Sequence, residues 1–332
     1  MHVTFYHRKV LPGHFSVEGY FRDVRNHMPA DVECTAAISR FMSTGVLRRA
    51  YNILEAPSRQ GDINHITGDV HFLTYLLEKR RTILTILDCG ILHRKTGIER
   101  ELLRWLWYAI PARRVAAITV ISQATKDDLL RFVRCDPDLI HVVYVSISPQ
   151  FQPKPKEFER GKPRLLQVGT APNKNIERTA EALSGLSCHL DIVGRLSPSQ
   201  RDALARFGIE HTSSDQLTDA EIRAKYESSD IVTFASTVEG FGMPIVEGNA
   251  VGRPVITSNV SSMAEVAGDA ACLVDPLQPA SIRAGFLRVM GDADYRHSLV
   301  ELGFENVKRF SPSAIAQQYY ALYREVLARI PG

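Results

Sequence analysis

Two glutamates, Glu239 and Glu247, bracket a Gly-Phe-Gly turn in the run "TVEGFGMPIVEGNAVGRP", directly after the strand-like "DIVTFAS". A loop that only reversed the chain would need no acid on either side. Gly240 and Gly242 let backbone come close to a ligand, and Pro244 is favoured in the first turn of a helix. The amides of Phe241, Gly242 and Met243 are then expected to point from a helix N-terminus toward an anion. Glu247 falls one turn further on, where a carboxylate can accept both hydroxyls of a ribose. Glu239 sits at the strand end, placed for whatever the phosphates carry. Upstream, "RLLQVGTAPNKN" brings Lys174 to the edge of another helix start, a second phosphate-binding feature. Arg195 follows the strand-like "HLDIVG", where a ligand contact and a surface ion pair both stay open. Each residue has a plainer reading, such as a dipole-complementing glutamate, turn glycines or a solvated lysine. Together these would require separate coincidences at strand ends of one domain.

The elements that must position these residues alternate in type. In the second half, short apolar runs ("RLLQVGT", "HLDIVG", "IEHTS", "DIVTFAS", "PVITSN", "ACLVDP") alternate with helix-like segments. That grammar predicts a parallel sheet covered on both faces, an α/β Rossmann-like domain. The first half repeats it more loosely through "VTFYH", "VECTAAI", "INHIT", "TILTILD", "AAITVIS" and "IHVVYVS". The expected organisation is an N-terminal domain over residues 1–150, a Pro/Lys/Glu-rich linker over 151–163, and a donor-type domain over 164–310. A final helix over 311–332 could pack back on the first domain. Two such domains would face each other across a cleft at the carboxyl ends of their strands, where open α/β sheets bind ligands.

Bulk properties narrow the class. The net charge of +3 is unremarkable, although residues 1–150 carry about 20 Lys/Arg against about 15 Asp/Glu. That excess is too mild for nucleic acid and compatible with an anionic surface or substrate. No run reaches the ~18 apolar residues of a membrane span. "MHVTFYHRKV" lacks the features of a secretory leader. Five scattered cysteines without a Cys-x-x-Cys pair read as reduced thiols. A cytoplasmic setting is therefore expected. "IERELLRWLWYAIPARRV" mixes two tryptophans with arginines, which suits either a half-buried helix or a peripheral contact at the inner face of a membrane.

The Glu239-x7-Glu247 run, with "VGTAPNKN" before it and "EVAGDAACLVDP" after it, resembles the family-four retaining glycosyltransferases of the GT-B fold. The likeness is close over residues 164–310 and weaker in "HITGDVHFL", "HRKTG" and "VISQATKDDL". It implies transfer of a hexose from a nucleotide-diphosphate sugar to a glycan or lipid-linked acceptor. Glu247 would bind ribose, Glu239 would face the donor sugar, and Lys174 would neutralise the diphosphate. The backbone of Phe241, Gly242, Met243 and Pro244 would contact sugar and phosphate. No metal and no cofactor beyond the nucleotide-sugar co-substrate are implied. Relatives carry an arginine near Lys174, where this chain has Thr170 and Asn173, leaving Arg195 to compensate. They also carry a histidine where this chain has Leu87, so Asp88, His65 or His71 would supply that contact. On the acceptor side the resemblance points to the loops "KVLPGHFS", with Gly13, and "HRKTG". Two alternatives stay open: a nucleotide-sugar epimerase and a non-catalytic nucleotide-sugar-binding protein.

Overall fold

A computed structural model describes residues 1–9 and 16–330, so Gly13 lies outside the described residues. The chain forms two units, one of residues 1–146 with the segment from Pro312 onward, the other Ile147–Ser311. In the first unit, β1 (His2–His7), β2 (Glu33–Ile38), β3 (Ile63–Thr67), β4 (Thr82–Ile86), β5 (Ala117–Val120) and β6 (Ile140–Val142) form one sheet. Its order is β2-β1-β3-β4-β5-β6, and every pairing is parallel. The second unit holds β7 (Arg164–Val168), β8 (His189–Val193), β9 (His211–Ser214), β10 (Ile231–Phe234), β11 (Val255–Ser258) and β12 (Cys272–Val274). These run parallel in the order β12-β11-β10-β7-β8-β9.

The apolar runs become buried strands because both sheet faces are covered by helices. Leu165, Leu190, Leu166, Ile192, Ile231 and Val232 are fully buried. Order reverses between β7 and β10: the chain winds outward through β8 and β9 on one side and through β11 and β12 on the other. Loops leaving the carboxyl ends of β7 and β10 therefore emerge side by side at the switch point, the edge at which open α/β sheets take ligands.

The final helix, Pro312–Ala328, belongs to the first unit. Its Ile315, Tyr319, Tyr323 and Val326 pack with Val3, Phe5 and Phe21. Residues 151–163 have no helix or strand, yet they are no free tether. They are held on the second unit by buried Asp230, which pairs with Lys156 and accepts from the amides of Glu159 and Arg164. No helix among the described residues is long and apolar enough to cross a membrane.

The helix after β4 widens into a π turn at Arg104–Ala109. Pro111 supplies the reason. It has no N–H, so the carbonyls of Leu106 and Trp107 lose the backbone donor that either helical register would offer. Side chains replace it: the Tyr75 hydroxyl donates to Leu106 O at 2.6 Å and His71 Nδ1 to Trp107 O at 2.7 Å.

His65, expected on the acceptor side, is instead a core residue of the sheet. It is fully buried, with Nδ1 at 2.6 Å from the Tyr323 hydroxyl and Nε2 at 2.7 Å from Thr85 Oγ1. Both ring nitrogens are engaged, so the ring has no polar atom left for a substrate. Burial, with the nearby His7, pushes its pKa down to about 3. Because the unfolded ring titrates near 6.5, its neutral form contributes stability that is full above that pH and lost as pH falls toward the folded value. The loss should reach on the order of 2 kcal/mol at pH 5 from His65 alone. Denaturant unfolding at pH 7 and pH 5, followed through Trp105 and Trp107 of this unit, checks it. His65→Gln, which cannot titrate, should lose that share of the slope, and an unchanged slope would contradict the account.

Candidate active site

Lys174 and Glu239 meet at the point where the second sheet reverses its order. Lys174 closes a short turn after β7 and Glu239 follows β10, and Lys174 Nζ lies 2.7 Å from Glu239 Oε1. Both side chains are mostly buried, with 17% and 15% exposure. The ammonium also stands 4.4 Å from the centroid of the buried Phe234 ring, a cation–π contact in a desolvated place. Gly169 makes room for the lysine stem: at φ +90° it has left-handed backbone, and a Cβ there would come within 2.8 Å of Lys174 Cε.

The glutamate is held from several sides. Asn173 Nδ2 donates to Glu239 Oε1 and to Val238 O, each at 2.9 Å. Ser261 Oγ donates to Glu239 O at 2.8 Å, and Ser262 Oγ reaches Glu239 O and Phe241 O at 3.0 and 2.7 Å. Ser261 itself adopts φ +58°, a strained backbone for a residue with a Cβ. Asn175, at φ +60°, donates to Ala235 O at 2.9 Å and Pro276 O at 2.7 Å, fixing the start of the helix Ile176–Leu183. Asparagine tolerates that conformation. Asn175, Ser261 and Ser262 were not singled out from the sequence. The Asn in "NKN" directly before a helical run was the available signal, whereas the serines come close only through tertiary folding.

The helix Met243–Val251 begins after Gly242, at φ +115°, with Pro244 in its first turn. Gly242 and Lys174 sit against the same Phe234 ring, since a Cβ on Gly242 would be 3.5 Å from Phe234 Cε1. The Phe241 ring turns into the core beside Phe310, with ring centroids 5.5 Å apart. Glu247 keeps some accessible surface, and Tyr226 donates to its Oε2 at 2.5 Å. Burial raises the Glu247 carboxyl to about 7, against the opposing Tyr226 hydrogen bond and the charge of Lys174. Tyr226 is a further residue the sequence did not announce.

The other expected site residues make contacts of their own. Arg195 is 79% exposed and paired with Asp215 at 3.1 Å, outside the Lys174–Glu239 contact. Thr170 gives its carbonyl to Gln200 Nε2 at 2.9 Å, and its side chain fills the space that Gly194 leaves. Asp88 and His71 lie in the first unit. Asp88 Oδ1 accepts from Gly90 N at 2.7 Å and closes that turn. His71 is buried, its Nδ1 is used by Trp107, and burial lowers its pKa. Two Asp-x-Asp strings serve as caps: Asp136 for Asp138 N and Asp292 for Tyr295 N. Among the described residues no group of three or more His, Cys, Asp or Glu could hold a metal ion.

Two parallel sheets of six strands, with charged loops at the switch point of the second, define the GT-B class of α/β transferase folds. Solved structures agree over nearly the whole chain. Sucrose-phosphate synthase from Thermosynechococcus elongatus superposes with TM-score 0.79 at 16% identity, covering 99% of this chain and 100% of that one. Anabaena HepE in complex with UDP and glucose gives 0.72 at 16% identity, covering 98% and 100%. Residues 149–305 match the family described as glycosyl transferases group 1. Among curated relatives, the MMP alpha-(1->4)-mannosyltransferase of Mycolicibacterium hassiacum is 29% identical over 238 residues, 66% of this chain and 56% of that protein. The O-antigen chain mannosyltransferase B of Escherichia coli is 36% identical over 95 residues, 29% and 25% of the two chains. The phosphatidyl-myo-inositol mannosyltransferase of Mycobacterium leprae is 28% identical over 201 residues, 57% and 53%. The chain thus matches from a quarter to just over half the length of these relatives.

The Glu247 carboxyl should titrate near pH 7 in the unliganded protein. Tyr226→Phe removes the hydrogen bond that favours the ionised form, so the midpoint should rise. Carbon-13 NMR of labelled glutamate, assigned with Glu247→Gln, reads it. An ordinary carboxylate midpoint near 4.3 would refute this account of the site.

Proposed function

We propose that the chain is a metal-independent, retaining glycosyltransferase that moves a hexose from a nucleotide-diphosphate sugar to a glycan or lipid-linked acceptor. The observation that carries this reading is the Lys174–Glu239 contact at the switch point of the second sheet, beside the start of the helix that bears Glu247. The mannosyltransferase names of the relatives support a hexose, and the UDP and glucose in the HepE complex support a nucleotide-sugar donor.

In this reading the anomeric C–O bond to the diphosphate breaks and negative charge gathers on the departing oxygen. Lys174 and the helix start take up that charge in a partly dry site, where fixed cations and dipoles stabilise it most. The acceptor oxygen bonds to the same face of the sugar, and its proton passes to the departing phosphate. Glu239, oriented by Asn173, Ser261 and Ser262, faces the sugar. Glu247 accepts the ribose hydroxyls. Asp88 is the first unit's proposed contribution. A cytoplasmic setting belongs to the same reading, with a lipid-linked acceptor bringing the chain to the inner face of a membrane.

Incubation with a panel of nucleotide sugars should release free nucleoside diphosphate from one of them. Lys174→Ala and Glu239→Ala should each lower that rate by about a hundredfold or more. Conversion of the donor to another sugar nucleotide would indicate an epimerase, and binding without turnover on any acceptor a non-catalytic protein. Excess EDTA should leave the rate unchanged, and a strict divalent-metal requirement would refute the site drawn here.

Affinity for the intact nucleotide sugar, whose diphosphate does not titrate near neutrality, should rise as pH passes upward through 7. Ionised Glu247 accepts the ribose hydroxyls better than its neutral form. Glu247→Gln should bind more weakly and without that inflection in a calorimetric titration. A wild-type affinity independent of pH would remove Glu247 from the ribose role.

A further inference from the structure

The first unit exposes an apolar surface on two of its helical segments. In the helix Val46–Glu55, the residues Val46, Leu47, Ala50, Tyr51 and Leu54 share one stripe at helical spacing, and that stripe faces outward. Leu47 is 86% exposed and Leu54 71%. The opposite side is tied down by buried Asn52, which accepts from Phe41 N at 3.2 Å and donates to Phe41 O at 2.9 Å. An amphipathic helix on a globular protein ordinarily turns its apolar stripe inward. This one is anchored by buried Asn52 and by half-buried Ile53, which packs on the core.

A second outward stripe adjoins it. Ile98, 89% exposed, is followed by Leu102, Trp105 and Leu106, all exposed. Leu103, Trp107, Tyr108 and Ala109 of the same stretch pack on the core. The helices that bear the two stripes touch where the Arg49 guanidinium stands 4.4 Å from the centroid of the Trp107 ring. They are also tied through the turn His71–Tyr75, whose Tyr75 hydroxyl bonds Leu106 O.

Charge on these segments is one-sided. Residues 38–55 and 90–114 together hold nine Lys/Arg against three Asp/Glu, whereas the remainder of residues 1–150 holds eleven against twelve. The basic excess of the first half therefore resides wholly here. The three acids, Glu55, Glu99 and Glu101, are paired with Arg59, Lys95 and Arg104. The Arg104 and Arg113 guanidiniums flank the Trp105 ring, each 5.4 Å from its centroid.

We propose that this face docks the protein on an anionic lipid bilayer, with Val46, Leu47, Leu54, Ile98, Leu102 and Trp105 entering the headgroup–acyl boundary and the surrounding arginines meeting lipid phosphates. Outward leucine, tryptophan and arginine on helices that lie along a surface suit an interface of that kind. The one-sided positive charge is what favours an anionic bilayer over a second protein surface. The inference goes beyond the transfer reading and holds whether or not the chain moves a sugar.

Of the chain's two tryptophans, Trp105 is exposed in this surface and Trp107 packs on the core beneath it, so the emission of Trp105 is a direct probe. Full-length protein should float with phosphatidylcholine vesicles containing phosphatidylglycerol, but not with phosphatidylcholine alone. Its tryptophan emission should shift to the blue on binding, and added salt should weaken the association. The double variant Leu47→Glu, Leu54→Glu should keep the wild-type melting temperature and bind the anionic vesicles at least about tenfold more weakly. Equal binding by variant and wild type would overturn the proposal, as would no flotation. A concentration-dependent dimer abolished by the same variant would also overturn it, by making a second copy the occupant of this face.

Discussion

A lysine and a carboxylate in contact at the carboxyl edge of a parallel sheet are the constraint around which the second unit is arranged. Strand order sets the meeting. β10 lies beside β7 although the chain makes β8 and β9 between them, so the loop after β7 and the loop after β10 emerge side by side. Neither loop could present both charges alone. Lys174 follows one strand and Glu239 the other, 65 residues apart in sequence and 2.7 Å apart in space. Handedness does the rest, because right-handed crossovers place covering helices on both sheet faces and leave this edge open.

Contact alone would leave two long side chains to wander, and the surrounding residues remove that freedom. Gly169 admits the lysine stem and Phe234 gives the ammonium an aromatic floor. Asn173 shares the same carboxylate oxygen, and Ser261 and Ser262 hold the backbone beneath it. These restraints are in place before any ligand arrives, so little reorganisation remains when charge develops at the site. The strained Ser261 fits this view, since unfavourable backbone persists where neighbouring contacts over-determine it. Tyr226 does for Glu247 what Asn173 does for Glu239: it fixes one oxygen and leaves the group otherwise poised between two protonation states near neutrality.

The repeating alternation of apolar runs with helical segments was enough to read both sheets, because strands buried on two faces leave little ambiguity of period. Glu239 and Glu247 stand out in the sequence for a related reason: glycine, proline and acid in one short stretch are costly unless backbone must approach something. Arg195 and His65 show the limit. Each stands at or in a strand as read, but sequence does not say which neighbour takes its polar atoms. Asp215 takes the arginine, and Tyr323 with Thr85 takes the histidine. Tyr323 lies 258 positions from His65, on a helix that returns to the first unit from the far end of the chain. The irregularity of 151–163 was likewise visible, whereas its attachment depends on Asp230, far along the sequence.

Direction is what a periodic pattern leaves undetermined. A stripe of apolar residues at helical spacing says that one face differs from the other, not which face looks inward, and in folded proteins the default is burial. In Val46–Glu55 the default is reversed by a single buried side chain. Asn52 satisfies both the N–H and the carbonyl of Phe41, and a buried amide with its partners made is costly to expose. That anchor sets the rotation of the helix, and rotation decides that Leu47 and Leu54 meet solvent. The π turn acts similarly at the second stripe. Because Pro111 removes a donor, the helix widens and its loose carbonyls are claimed by Tyr75 and His71. Trp107 and Tyr108 then pack on the core while Trp105 and Leu106 stay outside. In both places a polar contact acts together with core packing to set where the exposed apolar surface goes.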